Sequence, residues 1–509
     1  MASEEFKFSE EFLIGTGSSA YQIEGAWQAD DKSPSIWDHY FHNKKILPKN
    51  AILKLTEEKE KFNDFHKGIV IDQIDLSDPS QFLNGDIACD SYNKLEEDIK
   101  NLVDLKVNTY RFSISWPRVL PNGDDRKVND AGVKYYQSLI QNLLDNNIKP
   151  VVTMYHWDLP NCLQDLGGWA NPNIIEYFVN YACFLFKTFG SQVKIWTTIN
   201  EPRLVAHAYG SENMAPSVGE LFNGIADYMV VRNLLLAHGS VYKKYKVEYY
   251  PQQQGEISSL CFDTAWYFPE TNTDEDKKAA KRARDFDLGM FIQPLIDGTF
   301  PQAVIDGINN TNNTENIKFK RFIEFSEKEK EIVKNTYDFI AFNYYDSQII
   351  RAMTDDEYKN ENYLVNKDMR VKSNRKSEKN KENTFKGFTA VVKWLNEKFK
   401  KKELFVAENG FSEEPKIDQS DKKIEYHRGI LTEIKNAIGS GIVFKGYCVW
   451  SFMDSLEWTR GYASVMFGIY AVDFESDNRP RTKKSSFEFF QTLFGTKTIP
   501  SIKPVTLKK

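Results

Sequence analysis

The sequence contains no long hydrophobic run, and this absence argues against a membrane-spanning helix. No stretch approaches the roughly 18 consecutive apolar residues that mark such a span. Nor does an apolar segment like the core of a signal peptide follow Met1. The sequence therefore predicts a protein with no membrane partner, which is cytoplasmic or else secreted by means of a signal segment that is not part of this chain.

Cysteine, metal-ligand spacings and excess positive charge are also scarce. No cysteine forms a CxxC pair or another spacing typical of a metal site. We therefore expect buried thiols with at most one disulfide, no metal and no other cofactor. The net charge of −6 at pH 7 gives no overall basic field, which argues against nucleic acid as a principal partner. The cysteines are Cys89, Cys162, Cys183, Cys261 and Cys448.

What the sequence does contain is a repeated alternation of short apolar runs with amphipathic helical stretches. Runs that are apolar throughout are typical of parallel strands covered on both faces, and strand–helix repetition predicts an α/β fold. No GxGxxG or GxxxxGK[ST] motif follows any run, so an open nucleotide-binding sheet would lack its phosphate loop. Eight runs favour a closed (β/α)8 TIM barrel, and they cover residues 12–15, 108–115, 150–156, 194–201, 256–262, 339–345, 404–408 and 444–452.

The length of the chain also fits a barrel that carries long loop insertions. At 509 residues the chain is about twice as long as a bare barrel, which such insertions explain. Two segments interrupt the alternation, one at 44–84 and one at 366–386. We therefore predict a single barrel domain over residues 1–509. The second insertion has eight Lys or Arg against three Asp or Glu, and a solvated loop is its simplest interpretation.

Polar and aromatic residues follow the predicted strands at the ends where barrel enzymes place their active sites. Each residue alone has an ordinary explanation, such as a helix cap or a structural hydrogen bond. Their convergence on one rim, together with a charged Arg111 inside a predicted strand, indicates a site. The set comprises Gln22, Glu24, Arg111, His156, Trp157, Asn200, Glu201, Asn343, Tyr344, Tyr345, Glu408, Asn409, Trp450, Glu457 and Trp458.

Two carboxylates in this set suggest the chemistry. Glu201 ends the fourth predicted strand and Glu408 ends the seventh, so they meet only if a closed barrel brings those strands face to face. Cleavage of a glycoside uses such a pair, one to protonate the leaving oxygen and one to attack the anomeric carbon or to activate water. Burial beside a second carboxylate would keep one of them protonated, while Arg111 would keep the other ionised.

Six motifs resemble glycoside hydrolase family 1, and the similarity to its β-glucosidases of insects and animals covers nearly the whole chain. TINEP resembles the acid/base motif of the family and AENG its nucleophile motif. FLIGTGSSAYQIEG resembles its opening signature. In chain order the motifs lie at 12–25, 111–123 (RFSISWPRVLPNG), 153–160 (TMYHWDLP), 198–202, 407–410 and 449–462 (VWSFMDSLEWTRGY).

This resemblance implies a retaining β-glycosidase that hydrolyses terminal β-D-glucosides, with β-D-galactosides and β-D-fucosides as further candidates. The reaction would be a double displacement, in which Glu408 is the nucleophile and Glu201 is the acid/base. A monomer and a homodimer both remain open. The implied supporting roles are Arg111, Asn343 and Tyr345 around the nucleophile, Gln22, His156, Trp157, Asn200, Glu457 and Trp458 on the sugar, and Trp450 as the platform under the sugar ring.

Two residues argue against particular subtypes of the family. Glu201 stands where plant thioglucosidases have Gln, and Glu457 stands where 6-phospho-glucosidases have Ser. Because both catalytic carboxylates are present, the sequence disfavours a non-catalytic, klotho-like sugar-binding protein, which remains an alternative.

Departures from the family pattern lie on the side of the leaving group. The segment 373–388 lacks the Trp that usually forms a wall there, and we expect Trp394 to lie on the following helix. Together with the basic insertion, this suggests a polar or anionic aglycone, as in an insect-type thioglucosidase (myrosinase) that acts on sulfated glucosinolates. Arg203 and His207 add to that suggestion. However, Gln348 and His207 align with the Arg and Lys that bind sulfate in the aphid enzyme, which weakens it.

Overall fold

The computed structural model describes residues 6–43, 84–373, 381–462 and 465–501. Nearly all of the predicted insertion at 44–84 and the middle of the one at 366–386 therefore lie outside the described residues. In chain order the strands are β1 (Leu13–Gly17), β2 (Thr109–Ser113), β3 (Lys149–Tyr155), β4 (Ile195–Ile199), β5 (Glu256–Ile257), β6 (Phe262–Thr264), β7 (Tyr267–Pro269), β8 (Ile340–Tyr344), β9 (Gln348–Ala352), β10 (Val371–Ser373), β11 (Leu404–Asn409), β12 (Phe444–Trp450), β13 (Tyr470–Val472) and β14 (Arg481–Lys483).

Nine of these strands form one curled parallel sheet, in the order β5-β4-β3-β2-β1-β12-β11-β8-β6. Between β5 and β6, the bridges Ser258↔Phe339 and Asn200↔Cys261 join the two edges of the sheet. The amide of Ser259 donates to the carbonyl of Phe339 at 2.9 Å, and the amide of Cys261 donates to that of Ile199 at 3.0 Å. The predicted (β/α)8 barrel is therefore confirmed, and we call this junction the seam.

Seven of the eight predicted runs coincide with one observed strand to within two residues at either end. The prediction of one continuous fifth strand over 256–262 is wrong, because this segment is divided into β5 and β6. Ser258 and Ser259 turn their hydroxyls to nearby backbone carbonyls and to the Thr197 hydroxyl. Such local side-chain bonds compete with a regular ladder and explain the interruption.

Helices surround the sheet. One of them begins at Ile174, because the Asn171 side chain accepts from the Asn173 amide at 3.0 Å and holds a turn before it, and Gly190 is its C-cap. No helix of the described ranges is both long and apolar enough to cross a membrane. The helices of eight or more residues are Ile36–Asn43, Leu95–Asp104, Asp130–Asp145, Ile174–Phe189, Ala226–Lys244, Asp274–Arg284, Met290–Asp297, Gln302–Thr314, Lys381–Lys398, Ser420–Gly439 and Phe487–Thr496.

Shorter helical segments lie mainly in the connections. The longest of them, Pro202–Ala208 and Glu327–Val333, flank the barrel directly after β4 and before β8. The others are Ala20–Ile23, Ala29–Asp31, Trp116–Val119, Asn161–Gln164, Gly168–Ala170, Glu220–Phe222, Tyr245–Tyr249, Tyr250–Gln253, Asp285–Gly289, Asp355–Lys359 and Leu364–Met369.

The apolar core has two parts, because a closed sheet has an inner and an outer face. The large outer part fills the space between the strands and the surrounding helices. The small inner part fills one end of the barrel and leaves the polar rim at the other end. Its members are Leu13, Val151, Ile195, Cys261, Phe339, Ala341, Phe405, Ala407 and Cys448.

All five cysteines are free thiols. The expectation of buried thiols is met at Cys89, Cys183, Cys261 and Cys448 but is wrong for Cys162, which is exposed. Cys162 lies on the short helix Asn161–Gln164, of which only Leu163 is buried.

Candidate active site

Glu408 faces the inside of the barrel because of an irregularity in β11. Phe405 and Ala407 already point inward, so strict alternation would turn Glu408 toward the helices. The register between β11 and β8 shifts between Val406 and Glu408, so that Glu408 pairs with Asn343. Such bulges re-aim a side chain and are frequent beside active sites.

Two donors hold the Glu408 carboxylate, one in β2 and one directly after β8. The Nη1 of Arg111 donates to Oε1, and the hydroxyl of Tyr345 donates to Oε2 at 2.8 Å. Burial of Arg111 lowers the pKa of its guanidinium, but Glu408 and other neighbours outweigh this effect and raise it above its ordinary value. Arg111 is therefore a permanent cation that contacts the Glu408 carboxyl.

Glu201 is placed at the rim by a change of backbone direction. It has φ 48° and ψ 64°, in the left-handed region, and Pro202 begins a helix immediately after it. Such a conformation costs roughly 1–3 kcal/mol in a residue with a side chain, and it persists where the surroundings enforce it. The Glu201 amide donates to the carbonyl of Cys261 at 2.8 Å across the seam, which fixes this turn.

The surroundings of Glu201 favour its protonated form. Burial, followed by the charges of Glu408 and Asp263, raises the pKa of Glu201 well above its usual range. A hydrogen bond from Asn343 Nδ2 to Oε1 at 2.9 Å and the charge of Arg203 act in the opposite direction but are weaker. Two buried carboxyl groups in contrasting environments are the arrangement expected of an acid and a nucleophile.

Asn200 connects the environments of the two carboxyls. Its Oδ1 accepts from Arg111 Nη2 at 2.7 Å and from Asn343 Nδ2 at 3.2 Å. Its Nδ2 lies 3.1 Å from His156 Nε2, and its backbone carbonyl accepts from Trp157 Nε1 at 3.0 Å. Any displacement of Asn200 is therefore transmitted to groups on several strands.

Cys261 was not among the predicted site residues, although it lies at the centre of this network. Its thiol donates to Asn343 Oδ1 at 3.1 Å, so the nitrogen of that amide must face Asn200 and Glu201. No pattern in the sequence indicates this role, since a small apolar residue in a predicted strand is ordinary core.

The sugar side of the predicted site holds buried polar atoms with no hydrogen-bond partner among the described residues. They include Nδ1 of His156 and Oε1 of Glu457. Burial, followed by the charge of Arg111, lowers the pKa of His156 well below its usual range, so its ring is neutral at pH 7. Burial raises the pKa of Glu457 to about 8. Unpaired buried polar atoms mark a place where a polar ligand can be received.

Gln22 has both ends of its amide engaged. Its Nε2 donates to the carbonyl of Leu456 at 2.6 Å, and its Oε1 accepts from Ser19 at 2.6 Å. This places Gln22 directly beside the segment that carries Glu457 and joins the ends of β1 and β12 across the rim.

Tryptophan rings surround the same region. Trp450 is the last residue of β12, and its ring lies 5.9 Å from that of His156. Trp458 lies 4.6 Å from Trp157 and 5.9 Å from Tyr21, nearly parallel to the latter. Apolar ring faces next to unpaired polar atoms suit a ligand with both kinds of surface, as a sugar has.

Three members of the predicted rim set have structural partners instead. The Tyr344 hydroxyl donates to the carbonyl of Thr384 at 2.6 Å. Glu24 accepts from Arg118 Nε at 2.7 Å and from the Tyr136 hydroxyl, away from both catalytic candidates. Asn409 donates to the carbonyl of Tyr344 at 2.6 Å. All twelve residues to which the resemblance assigns a role, by contrast, lie around one rim.

Arg203 and Asp263 form an ion pair that the sequence does not predict. Nε of Arg203 donates to Oδ2 of Asp263 at 2.5 Å. Arg203 follows Glu201 by two residues, and Asp263 pairs in register with Asn343. A carboxylate in β6 carries no distinguishing spacing, so the sequence offered no signal for it.

Trp394 has the position that the sequence predicts for it. Trp394 lies on the helix Lys381–Lys398, as expected, and the guanidinium of Arg284 lies 5.8 Å from its ring. Arg284 is also 4.6 Å from the ring of Trp266.

Several cations of the basic insertion are paired with carboxylates where the structure describes them, while Arg370 lies over the ring of Tyr358 at 4.2 Å. Lys367 pairs with Glu315 at 2.8 Å and Lys372 pairs with Glu361 at 2.8 Å. Lys386 pairs with Glu382 at 2.5 Å. The cations at 375, 376 and 379 lie outside the described residues. Within the described ranges, no group of three or more His, Cys, Asp or Glu side chains forms a metal site.

Comparison with known proteins agrees with this geometry. The model of glycosyl hydrolase family 1 matches residues 4–69 and 73–499. Lactase/phlorizin hydrolase of Homo sapiens is 36% identical over 500 residues, which are 97% of this chain but only 24% of that protein, so the chain spans about a quarter of this relative. Myrosinase 1 of Brevicoryne brassicae is 33% identical over 97% of this chain and 99% of that protein.

A solved structure of the rice Os3BGlu6 β-glucosidase superposes with a TM-score of 0.80 at 31% identity, over 96% of this chain and 98% of that one. The family match and this fold similarity both extend over nearly the full length of the chain, including both carboxylate motifs. The chain belongs to glycosyl hydrolase family 1.

Proposed function

We propose that the protein is a retaining β-glycosidase that hydrolyses terminal β-D-glucosides, with β-D-galactosides and β-D-fucosides as further substrates. The observation that supports this most is the contrast between two buried carboxyls. Glu408 is held by the cation Arg111 and the hydroxyl of Tyr345, while burial raises the pKa of Glu201.

In the first step, Glu408 attacks the anomeric carbon. A bond forms between a carboxylate oxygen of Glu408 and that carbon, and the bond from the carbon to the aglycone oxygen breaks. Glu201 transfers its proton to the departing oxygen. Because Glu201 is buried beside the charge of Glu408, it holds this proton near neutral pH until the leaving group needs it.

In the second step, Glu201 acts as a base. With Glu408 esterified, a negative charge next to Glu201 has disappeared, and its pKa falls accordingly. It removes a proton from water, the water oxygen bonds to the anomeric carbon, and the bond to Glu408 breaks. The sugar leaves with its original configuration.

The unpaired atoms on the sugar side support a monosaccharide unit as the fixed part of the substrate. Asn200 would hold the 2-hydroxyl, and Gln22, His156 and Glu457 would bind the remaining hydroxyls. Trp450 would lie under the ring, with Trp157 and Trp458 beside it. The rice β-glucosidase among the similar structures supports glucose as the preferred sugar.

A thioglucosidase is the second candidate, and the similarity to Myrosinase 1 favours it. Its sulfated substrates need an unpaired cation beside the aglycone. However, Arg203 is bound to Asp263, and Lys367 and Lys372 are bound to carboxylates of their own. We therefore propose a neutral O-linked aglycone rather than an anionic one.

Hydrolysis of a glucoside panel tests both proposals. We expect turnover of aryl and alkyl β-D-glucosides, no preference for a glucosinolate over its desulfated form, and β-glucose as the first anomer seen by proton NMR. The variant Glu408→Gln is the matched control for contaminating activity. Absence of turnover on the whole panel would support the klotho-like alternative, α-glucose would refute retention, and a marked preference for the sulfated substrate would favour the thioglucosidase.

A further inference from the structure

The ion pair between Arg203 and Asp263 lies next to Glu201 and has no part in the double displacement itself. We propose that Asp263 is a positioning residue that keeps Arg203 away from Glu201 and so preserves the proton of the acid/base. This inference rests on the proposed function, since it assumes that Glu201 is the acid.

The geometry gives Arg203 two candidate partners. It follows Glu201 by two residues, on the helix that Pro202 begins. Asp263 approaches from β6, in register with Asn343, whose amide donates to Glu201. Nε and Nη2 of Arg203 both lie 2.5 Å from Oδ2 of Asp263, so the guanidinium is committed to that carboxylate.

The two catalytic candidates thus meet their nearest arginines in opposite ways. Arg111 binds Glu408 directly and places a cation against its carboxyl. Arg203 would do the same to Glu201 if it were unpaired, and an ionised Glu201 could not protonate a leaving group. Asp263 prevents this by binding the cation and by placing a negative charge near Glu201, which raises the pKa of the acid.

Charged and titratable groups face this cluster from every neighbouring element. Burial and the charge of Asp287 raise the pKa of Asp263, and Arg203 lowers it, with a result of about 6. Asp263 is thus increasingly ionised above that pH, where Glu201 most needs help to keep its proton. The charged and titratable groups around Glu201 and the Arg203–Asp263 ion pair are Glu408, Arg111, Cys261, Tyr345, Asp287, Tyr267 and His207.

The test compares the pH dependence of kcat/KM in two variants. In Asp263→Asn, an unpaired Arg203 stabilises ionised Glu201. We therefore expect the basic limb of the pH profile of kcat/KM to move to lower pH by about one unit. In Arg203→Gln, a cation beside Glu201 is lost, and we expect the limb to move to higher pH. A merely structural role would lower the rate in both variants without moving the limbs in opposite directions.

Both variants should fold. The Arg203 side chain is 32% exposed, so the cation left by Asp263→Asn can reach water. In Arg203→Gln, the side-chain amide that replaces the guanidinium can still donate a hydrogen bond to Asp263. The control for net charge is Glu315→Gln, which removes a carboxylate whose partner is Lys367 and not Arg203.

The leaving group provides a second measurement. On the basic limb of the wild-type profile, Asp263→Asn should lose up to about tenfold in kcat/KM on an alkyl β-glucoside, corresponding to a limb shift of about one unit, and little on a dinitrophenyl β-glucoside, which needs no proton. Limbs that stay in place, or that move in the same direction in both variants, overturn the role of Asp263. If the wild-type protein and Glu315→Gln show no turnover, the proposed function itself has failed.

Discussion

The side-chain amide of Asn343 donates to Glu201 Oε1 at 2.9 Å, and the thiol of Cys261 donates to the oxygen of that same amide at 3.1 Å. An amide can be reversed at little cost unless its two ends have different partners. The thiol, together with Asn200 Oδ1, which accepts from the same Nδ2 at 3.2 Å, therefore determines which end of Asn343 meets Glu201.

Replacement of Cys261 should therefore affect acid catalysis. In Cys261→Val the amide loses its donor and can reverse, so we expect kcat/KM on alkyl β-glucosides to fall by up to about tenfold, the value of one hydrogen bond. Cys261→Ser keeps a donor and serves as the matched control. Equal losses in the two variants would point to packing instead of orientation.

Substitution of the acid should separate substrates by their leaving groups. We expect Glu201→Gln to reduce turnover of alkyl β-glucosides by about a hundredfold or more, because general acid catalysis typically contributes that much. Glycosylation by activated aryl glucosides should be far less affected, since their leaving groups need little protonation. Steady-state and burst kinetics with both substrates make the comparison, and a uniform loss would argue against the proposed role.

Substitution of the nucleophile should abolish turnover on every substrate. In Glu408→Gln the amide no longer attacks the anomeric carbon, while Arg111 loses its anionic partner. A 2-deoxy-2-fluoro-β-glucoside should add one covalent glycosyl unit to the wild-type protein and none to the variant, as measured by intact mass. Labelling at a peptide other than the one with Glu408 would exclude this assignment.

Glu457 should make the stability of the protein depend on pH. Burial raises its pKa to about 8, so the folded state binds this proton more tightly than the unfolded state. Its contribution is complete below the unfolded pKa of about 4.5, declines as the pH rises, and is lost above about 8. We expect Tm to fall less between these limits in Glu457→Gln than in the wild type. An identical decline in both would show that Glu457 does not titrate in this range.

The ion pair between Arg321 and Asp368 should matter for stability and not for chemistry. Both side chains are fully buried, and Arg321 Nη2 donates to Oδ1 at 2.7 Å. Loss of one member leaves the other charge buried without a partner, so Asp368→Ala should lower the free energy of unfolding by about 3–5 kcal/mol. Urea unfolding measures this loss, while kcat/KM at 25 °C should stay near the wild-type value.

The sequence predicted the barrel well because runs such as 404–408 and 444–452 contain continuous apolar stretches (LFVA and GYCVW), a pattern typical of parallel strands covered on both faces. It predicted Glu201 and Glu408 as the reacting pair because their motifs resemble those of a family. Those roles remain predictions, whereas the membership of the family and the arrangement of the strands are confirmed.

Other features depend on contacts between distant segments, which a local pattern does not contain. The shift of register before Glu408 results from the pairing of β11 with β8, and alternation alone would have turned this residue outward. The break between β5 and β6 results from serine hydroxyls that bond to the local backbone. Asp263 matters to the site only because it lies beside Arg203. Glu24, which the sequence places in the rim set, is bound by Arg118 instead.

The seam between β5 and β6 has a consequence for heat inactivation. Where β4 pairs with β5 over two residues only, isolated bridges at Ser258 and Cys261 complete the ring. Segments with few backbone bonds open locally before a domain melts. Because the seam fixes the turn at Glu201, we expect a warmed sample to lose its catalytic competence reversibly while its helices still give a native circular dichroism spectrum.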